Sequence, residues 1–292
     1  MTVTVVGIGL IGGSFALALK DKGIAKKIIG VEAKTEHQRK ALSLQLVDEI
    51  KELDEAIKES DLVFLAVPVD AAIKLLPSIL DIVHQQVVMD AGSTKEGIIE
   101  VIKNHPKRGR FVASHPMWGT EYSGPEAAVH GAFEGKATVI SNKEESDEDA
   151  VEMVENIYRQ LGMHLVYMNA HAHDVHVAYV SHISHITSFA LANTVLEKER
   201  EEDAIFELAS GGFESTVRLA KSNPVTWASI FMQNKENVLD VLNEHISQLR
   251  KFKACLEKEN YEYLEELMVN ANKIKKVLNR DLGGLNGLRG KR

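Results

Sequence analysis

The run Thr2–Val6 is wholly β-branched and leads straight into Gly7-Ile8-Gly9-Leu10-Ile11-Gly12-Gly13-Ser14. β-Branched side chains favour extended backbone, whereas Ile11–Lys22 carries its apolar residues at helical spacing. Glycines at 7, 9 and 12 therefore mark a strand that turns tightly into a helix, which is how a parallel α/β unit opens. The same alternation continues for half the chain. Short apolar runs at Ile28–Val31, Leu62–Ala66, Val87–Asp90, Arg110–Ala113, Ala137–Ser141 and His164–Tyr167 predict further strands. Helical patterns at Thr35–Leu44, Leu53–Ser60, Ala71–Val83, Lys95–Lys103 and Glu148–Leu161 separate them. Such alternation predicts a doubly wound parallel sheet.

From about Ala170 the strand-like pattern stops. His173–Glu201 predicts one long helix, Gly211–Gly212 a break, and Ser215–Ala220 a short helix. Pro224 is set to begin the next helix, where its missing N–H costs nothing. Apolar stripes at Val238, Val241, Leu242, Ile246, Leu249, Phe252 and Leu256, and at Leu264, Leu267, Met268, Ala271, Ile274 and Leu278, predict two more helices, with Asn260 near the turn. The expected fold class is α/β plus all-α. An α/β domain over 1–169 precedes a helical domain over 170–282, with a flexible tail over 283–292.

Composition narrows the functional classes. The 292 residues carry 34 basic and 42 acidic side chains, a formal charge of −8 with neutral histidine. That leaves no basic excess for a nucleic-acid partner. The single cysteine, Cys255, excludes an internal disulfide and a multi-cysteine metal site, and it suits a reducing, cytoplasmic setting. Met1–Leu19 and Val175–Leu196 contain no Asp, Glu, Lys or Arg. The glycines of the first argue against a signal-peptide core, and His176, His182 and His185 in the second against a membrane helix. Both are expected to be buried parts of a soluble fold.

The glycine pattern has a chemical reading. Gly7 permits the turn, Gly9 lets a pyrophosphate approach the backbone, and Gly12 lets helix and strand pack. The helix start at Leu10 and Ile11 then offers amides and a partial positive charge to phosphates. Glu32, 20 residues after Gly12, suits the ribose hydroxyls and repels a 2′-phosphate, favouring NAD over NADP. Ala66-Val67-Pro68-Val69 and Asp90-Ala91-Gly92-Ser93-Thr94-Lys95 follow later strands, so Val67, Pro68 and Ser93 point to the same crevice. Ser93 reads equally as a site hydroxyl or, with Thr94, as a helix cap.

His115 follows a strand, beside Pro116, and leads into Gly119-Thr120-Glu121. It suits proton abstraction from an alcohol, or a backbone bond in a turn. Five histidines lie between His171 and His185, and His182 and His185 share a helix face. They read as a helical interface or as substrate contacts; with no HExxH and no nearby cysteine, metal is the weaker reading and none is assigned. Arg218 suits a bidentate carboxylate contact or a surface ion pair.

Taken in order, GIGLIGGS, DAGSTK, HPMWGTEYSG, VSHISH and FESTVRLAKSNPVTW resemble the prephenate dehydrogenase family of tyrosine biosynthesis, from about Val3 to Val277. The resemblance implies a Rossmann-type NAD domain and a helical domain that builds a homodimer. It implies oxidative decarboxylation of prephenate, with arogenate, or both substrates, as the alternative. On the same basis His115 is the catalytic histidine and Ser93 and Thr120 assist it. Ser181, His182 and His185 face the substrate, Arg218 binds its side-chain carboxylate, and Trp227 approaches the neighbouring subunit's site. Trp118 stands where many members have a small residue, and Glu32 where many have aspartate. Neither a chorismate mutase domain before the glycine turn nor a regulatory ACT domain after the helices is expected. More distant readings are a hydroxyacid or imino-acid oxidoreductase, which lacks its lysine between Val175 and Leu196, and a silent NAD-sensing protein.

Overall fold

The computed structural model describes residues 1–199 and 206–278. Eight strands form one sheet in the order β3-β2-β1-β4-β5-β6-β7-β8. They are β1 (Thr2–Val6), β2 (Lys27–Val31), β3 (Glu49–Ile50), β4 (Leu62–Leu65), β5 (Val87–Asp90), β6 (Phe111–Pro116), β7 (Ala137–Ser141) and β8 (His164–Met168). Every neighbouring pair from β3 to β6 is parallel. β7, however, runs antiparallel to β6, with β8 parallel to β7, so the expectation of a parallel sheet holds only as far as β6. The β6–β7 connection carries only a 3-10 turn, Pro125–Ala127, and no crossover helix that would return the chain parallel. The sequence reading did not include β3, because two residues show no alternation.

The helices of this part are α1 (Leu10–Asp21), α2 (Thr35–Ser43), α3 (Leu53–Lys58), α4 (Val69–Ile82), α5 (Glu96–Glu100) and α6 (Glu148–Gln160). They cover both sheet faces, which is why the central strands read as unbroken apolar runs. In β4 alternate residues divide between two cores: Leu62 and Phe64 join Phe15, Leu19 and Tyr158, while Val63 and Leu65 join Leu76, Leu80 and Phe111. Burial of these side chains contributes roughly 1.5–3 kcal/mol each.

After β8 the described chain is helical. The expected single helix His173–Glu201 starts earlier and carries a π turn, and its last two residues lie outside the described ones. Asn169 caps it by accepting the Ala172 amide at 2.7 Å, so α7 spans Ala170–Val177. A five-residue π turn, Ala178–His182, then leads into α8 (Ile183–Glu199). A π turn adds one residue per turn, which no apolar periodicity reveals. Nor is Val175–Leu196 wholly buried: Tyr179, Val180 and Leu196 are 46%, 68% and 50% exposed.

Gly211 and Gly212 do not break the chain but open α9 (Gly211–Val217), followed by a 3-10 turn, Arg218–Lys221, where helix had been expected to Ala220. Pro224 starts α10 (Pro224–Gln233), capped by the Asn223 side chain. Then come α11 (Lys235–Glu257), α12 (Tyr261–Ala271), capped by Asn260, a 3-10 turn at Asn272–Ile274, and α13 (Lys275–Leu278). The expected tail over 283–292 lies outside the described residues. The chain groups into two compact units, Met1–Val238 and a second beginning at Leu239. The residues discussed below as a site all belong to the first.

Candidate active site

At the carboxyl end of β1 the glycines do what their positions demand. Gly7 has φ +90°, and a Cβ there would meet the Ala66 carbonyl oxygen at 2.7 Å and Val67 Cγ1 at 2.8 Å. A Cβ on Gly12 would meet the Gly7 carbonyl oxygen at 2.0 Å, whereas one on Gly9 meets nothing within 4 Å. Gly9 precedes α1, and no side chain bonds its first amides, so Leu10 and Ile11 open a helix left for an outside acceptor. The Glu32 carboxylate accepts the Ile8 amide at 3.1 Å and the Lys34 amide at 3.0 Å, tying the end of β2 to the glycine turn. Pro68 caps α4 at the end of the neighbouring β4. Open space over Gly9, an uncapped helix start and a carboxylate at the end of β2 together fit a dinucleotide.

The next strand ends carry a polar core. Asp90 and Lys95 are a fully buried ion pair. Lys95 Nζ also donates to the Ser114 carbonyl at 2.8 Å, and Asp90 accepts the amides of Gly92 and Ser114 at 2.9 Å each. Ser93 lies half-buried in this loop. Neither Ser93 nor Thr94 caps α5. Instead Asp174, on α7, accepts the Lys95 amide at 2.7 Å and the Glu96 amide at 2.9 Å.

His115 sits at the end of β6, and its Nδ1 lies 2.8 Å from His173 Nε2. His173 Nδ1 lies 2.7 Å from Asp174 Oδ1. Burial holds His115 well below the usual imidazole range, and the neighbouring His173, Lys95 and His182 act in the same direction. Burial also lowers His173, against the opposing hydrogen bond that Asp174 accepts. Both rings are thus held neutral.

The remaining predicted residues divide into two groups. His182 is buried, and burial lowers it to about 4. Asn234 Nδ2 donates to the Asp174 carbonyl at 2.7 Å and to His182 Nδ1 at 3.2 Å, so neutral His182 carries its proton on Nε2. His185, lowered by burial to about 4, donates from Nδ1 to the Ser181 carbonyl at 3.1 Å and keeps an acceptor at Nε2. It stacks on Trp227 of its own chain with ring centroids 3.3 Å apart. In the second group Arg218 is half-exposed and donates to Glu121 at 2.8 Å. Thr120, beside Glu121, is exposed and accepts the Tyr122 amide at 3.3 Å rather than a bond from His115. Trp118 packs edge-on against Phe133, on the core, with centroids 5.6 Å apart.

Sequence reasoning missed His173 and Asp174 as site residues, along with Lys95, Asp90, Glu121 and Asn234. The carboxylates Asp90 and Glu121 and the lysine stood inside the quoted motifs, and His173-Asp174 lay within the histidine-rich segment. Asn234 carried no signal. Among the described residues no group of three or more His, Cys, Asp or Glu is arranged to hold a metal ion.

A glycine turn and an uncapped helix at the β1/β4 switch point, with a neutral imidazole on a nearby strand end, define a Rossmann-type dehydrogenase. Comparison with known proteins carries this further. Residues 15–167 match the family model described as prephenate dehydrogenase, nucleotide-binding domain, and 169–270 the prephenate dehydrogenase, dimerization domain. The chain is 32% identical to the prephenate dehydrogenase of Bacillus subtilis over 267 residues, 90% of this chain and 72% of that protein. It is 28% identical to the cyclohexadienyl dehydrogenase of Zymomonas mobilis, covering 96% of each. A crystal structure of Aquifex aeolicus prephenate dehydrogenase with hydroxyphenyl propionate and NAD+ superposes with a TM-score of 0.86 at 31% identity, covering 95% of this chain and 97% of that one. The chain belongs to the prephenate dehydrogenase family.

Proposed function

We propose that this protein is an NAD-dependent prephenate dehydrogenase, converting prephenate to 4-hydroxyphenylpyruvate and CO2 in tyrosine biosynthesis. The observation that carries this reading is His115, an imidazole held neutral at the end of β6, with its Nδ1 engaged by His173. Gly7, Gly9, Gly12, Leu10, Ile11, Val67 and Pro68 bind the dinucleotide, with Glu32 at its ribose. When bound, NAD+ supplies the acceptor for the hydride leaving the ring carbon that bears the hydroxyl. His115 takes the hydroxyl proton, the ring carboxylate leaves as CO2 as the ring becomes aromatic, and the proton returns to the phenolate oxygen. Ser93 and Thr120 assist at the hydroxyl. Thr120 Oγ1 accepts the Tyr122 amide at 3.3 Å and keeps its own proton to donate.

Prephenate has two carboxylates. Arg218 takes the side-chain carboxylate in competition with Glu121, which holds it at 2.8 Å. Ser181, His182 and His185 line the substrate together with Trp227. The residues 1–169 form the dinucleotide domain and 170–282 the helical domain, through which the enzyme works as a homodimer in the cytoplasm. No helix among the described residues is long and apolar enough to cross a membrane.

The test follows NADH absorbance with prephenate and arogenate in parallel. Faster turnover of prephenate supports the reading, and turnover of arogenate alone overturns the substrate. His115→Asn should retain NAD binding while lowering kcat by about 10²–10⁴, the span a general base supplies. Full kcat in that variant removes His115 as the base.

A further inference from the structure

We infer that His173 and Asp174 are positioning residues that form a two-imidazole relay behind His115 and fix its free lone pair on Nε2. This rests on the assignment of His115 as the base.

The direction of the relay follows from its carboxylate end. Asp174 accepts two backbone amides, from Lys95 and Glu96, and so is held as an acceptor beside His173. The 2.7 Å contact between Asp174 Oδ1 and His173 Nδ1 therefore places the His173 proton on Nδ1. A neutral His173 then has only a lone pair on Nε2, so the 2.8 Å contact to His115 Nδ1 requires His115 to donate. A neutral His115 with its proton on Nδ1 has Nε2 free. The opposite tautomer would leave two lone pairs facing each other at 2.8 Å, and protonating His173 instead would bury a charge.

The surroundings favour the same state. The groups around the two rings are Lys95 and Asp90 at the β5–α5 junction, His182 in the π turn, and Asp174 on α7. Lys95 and Asp90 neutralise each other as a buried pair, and His182 is itself neutral above about 4. When His115 takes a proton, its Nδ1–H still donates to His173, and Asp174 stands at the end of the chain to balance the charge. The same Asp174 caps α5, so docking α7 against α5 and setting the base are one event.

The full-length protein with 15N-labelled histidine tests this directly. Long-range proton–nitrogen spectra, assigned with His115→Asn, should show His115 protonated on Nδ1 and bare on Nε2. His173→Leu should lower kcat by about 10–100-fold, a part of the roughly 10²–10⁴ a base supplies, with KM for NAD and prephenate within about twofold of wild type. His173→Gln, whose amide oxygen can accept from Nδ1, should recover most of that loss. NAD binding by fluorescence checks that each variant is folded. A bare Nδ1 in the wild type, or wild-type kcat in His173→Leu while His115→Asn is inactive, overturns the relay and leaves the base assignment standing. A fully active His115→Asn overturns the base assignment itself, and the catalytic role of the relay with it.

Discussion

Lys95 and Asp90 form the most demanding ion pair among the described residues, since both side chains are fully buried. A buried pair contributes little to net stability, but a lone buried charge is costly. Lys95→Met, which keeps the stem and removes the ammonium, should therefore destabilise the fold by about 3–5 kcal/mol, read from urea unfolding. An unchanged midpoint would mean that water reaches Asp90. His182 gives a second prediction. Its folded value is about 4, whereas an unfolded histidine titrates near 6.5. Below about pH 6.5 the unfolded chain binds the extra proton first, so stability falls with pH and the loss levels off below about 4. The wild type should lose up to about 3 kcal/mol more than His182→Gln between pH 7 and 4. Equal losses in thermal or urea unfolding would show that His182 protonates without cost.

At the scale of elements, the π turn Ala178–His182 sets which side chains share a face along α7 and α8. Val180 is 68% exposed, so deleting it removes little packing within the chain. The deletion should close the π turn to α-helix and turn α8, with His185, by far less than the ~100° of one α-helical residue, because the wider turn takes up the extra residue. Circular dichroism should keep its helical signal, and turnover with prephenate should fall by less than about tenfold. Loss of turnover would mean that the site depends on the π geometry itself. Periodicity located the edges of most strands and helices in the first half within a few residues, because burial on two faces leaves a continuous apolar signature. It failed where the controlling contact is distant or polar: at the Asn169 cap, at the π turn, and at α5, capped from α7 by Asp174 rather than by Ser93 or Thr94.

At the scale of the whole molecule, apolar side chains stay uncovered in each compact unit. Val225 and Met232 are exposed in the first, and Leu249, Leu256, Tyr261 and Met268 in the second. A second copy of the chain, as proposed, would cover such surface. Light scattering should give about twice the mass of one chain, and Leu249→Glu combined with Leu256→Glu should shift it toward the monomer. A wild-type monomer at micromolar concentration would exclude the homodimer.

The glycine turn, Glu32 and the strand–helix alternation were legible in the chain because each depends on neighbours in sequence or on burial repeated at a fixed period. His115 and Arg218 were legible as candidates, but not their partners. His173 stands 58 residues from His115, and Glu121 97 residues from Arg218. Nothing in a linear pattern encodes a hydrogen bond across such separations. The sequence specified a nucleotide-type sheet followed by helices, and which residues were chemically able to act. Folding selected among them, because only close packing of α7 on α5 and β6 brings two imidazoles and a carboxylate into line and determines where their protons reside.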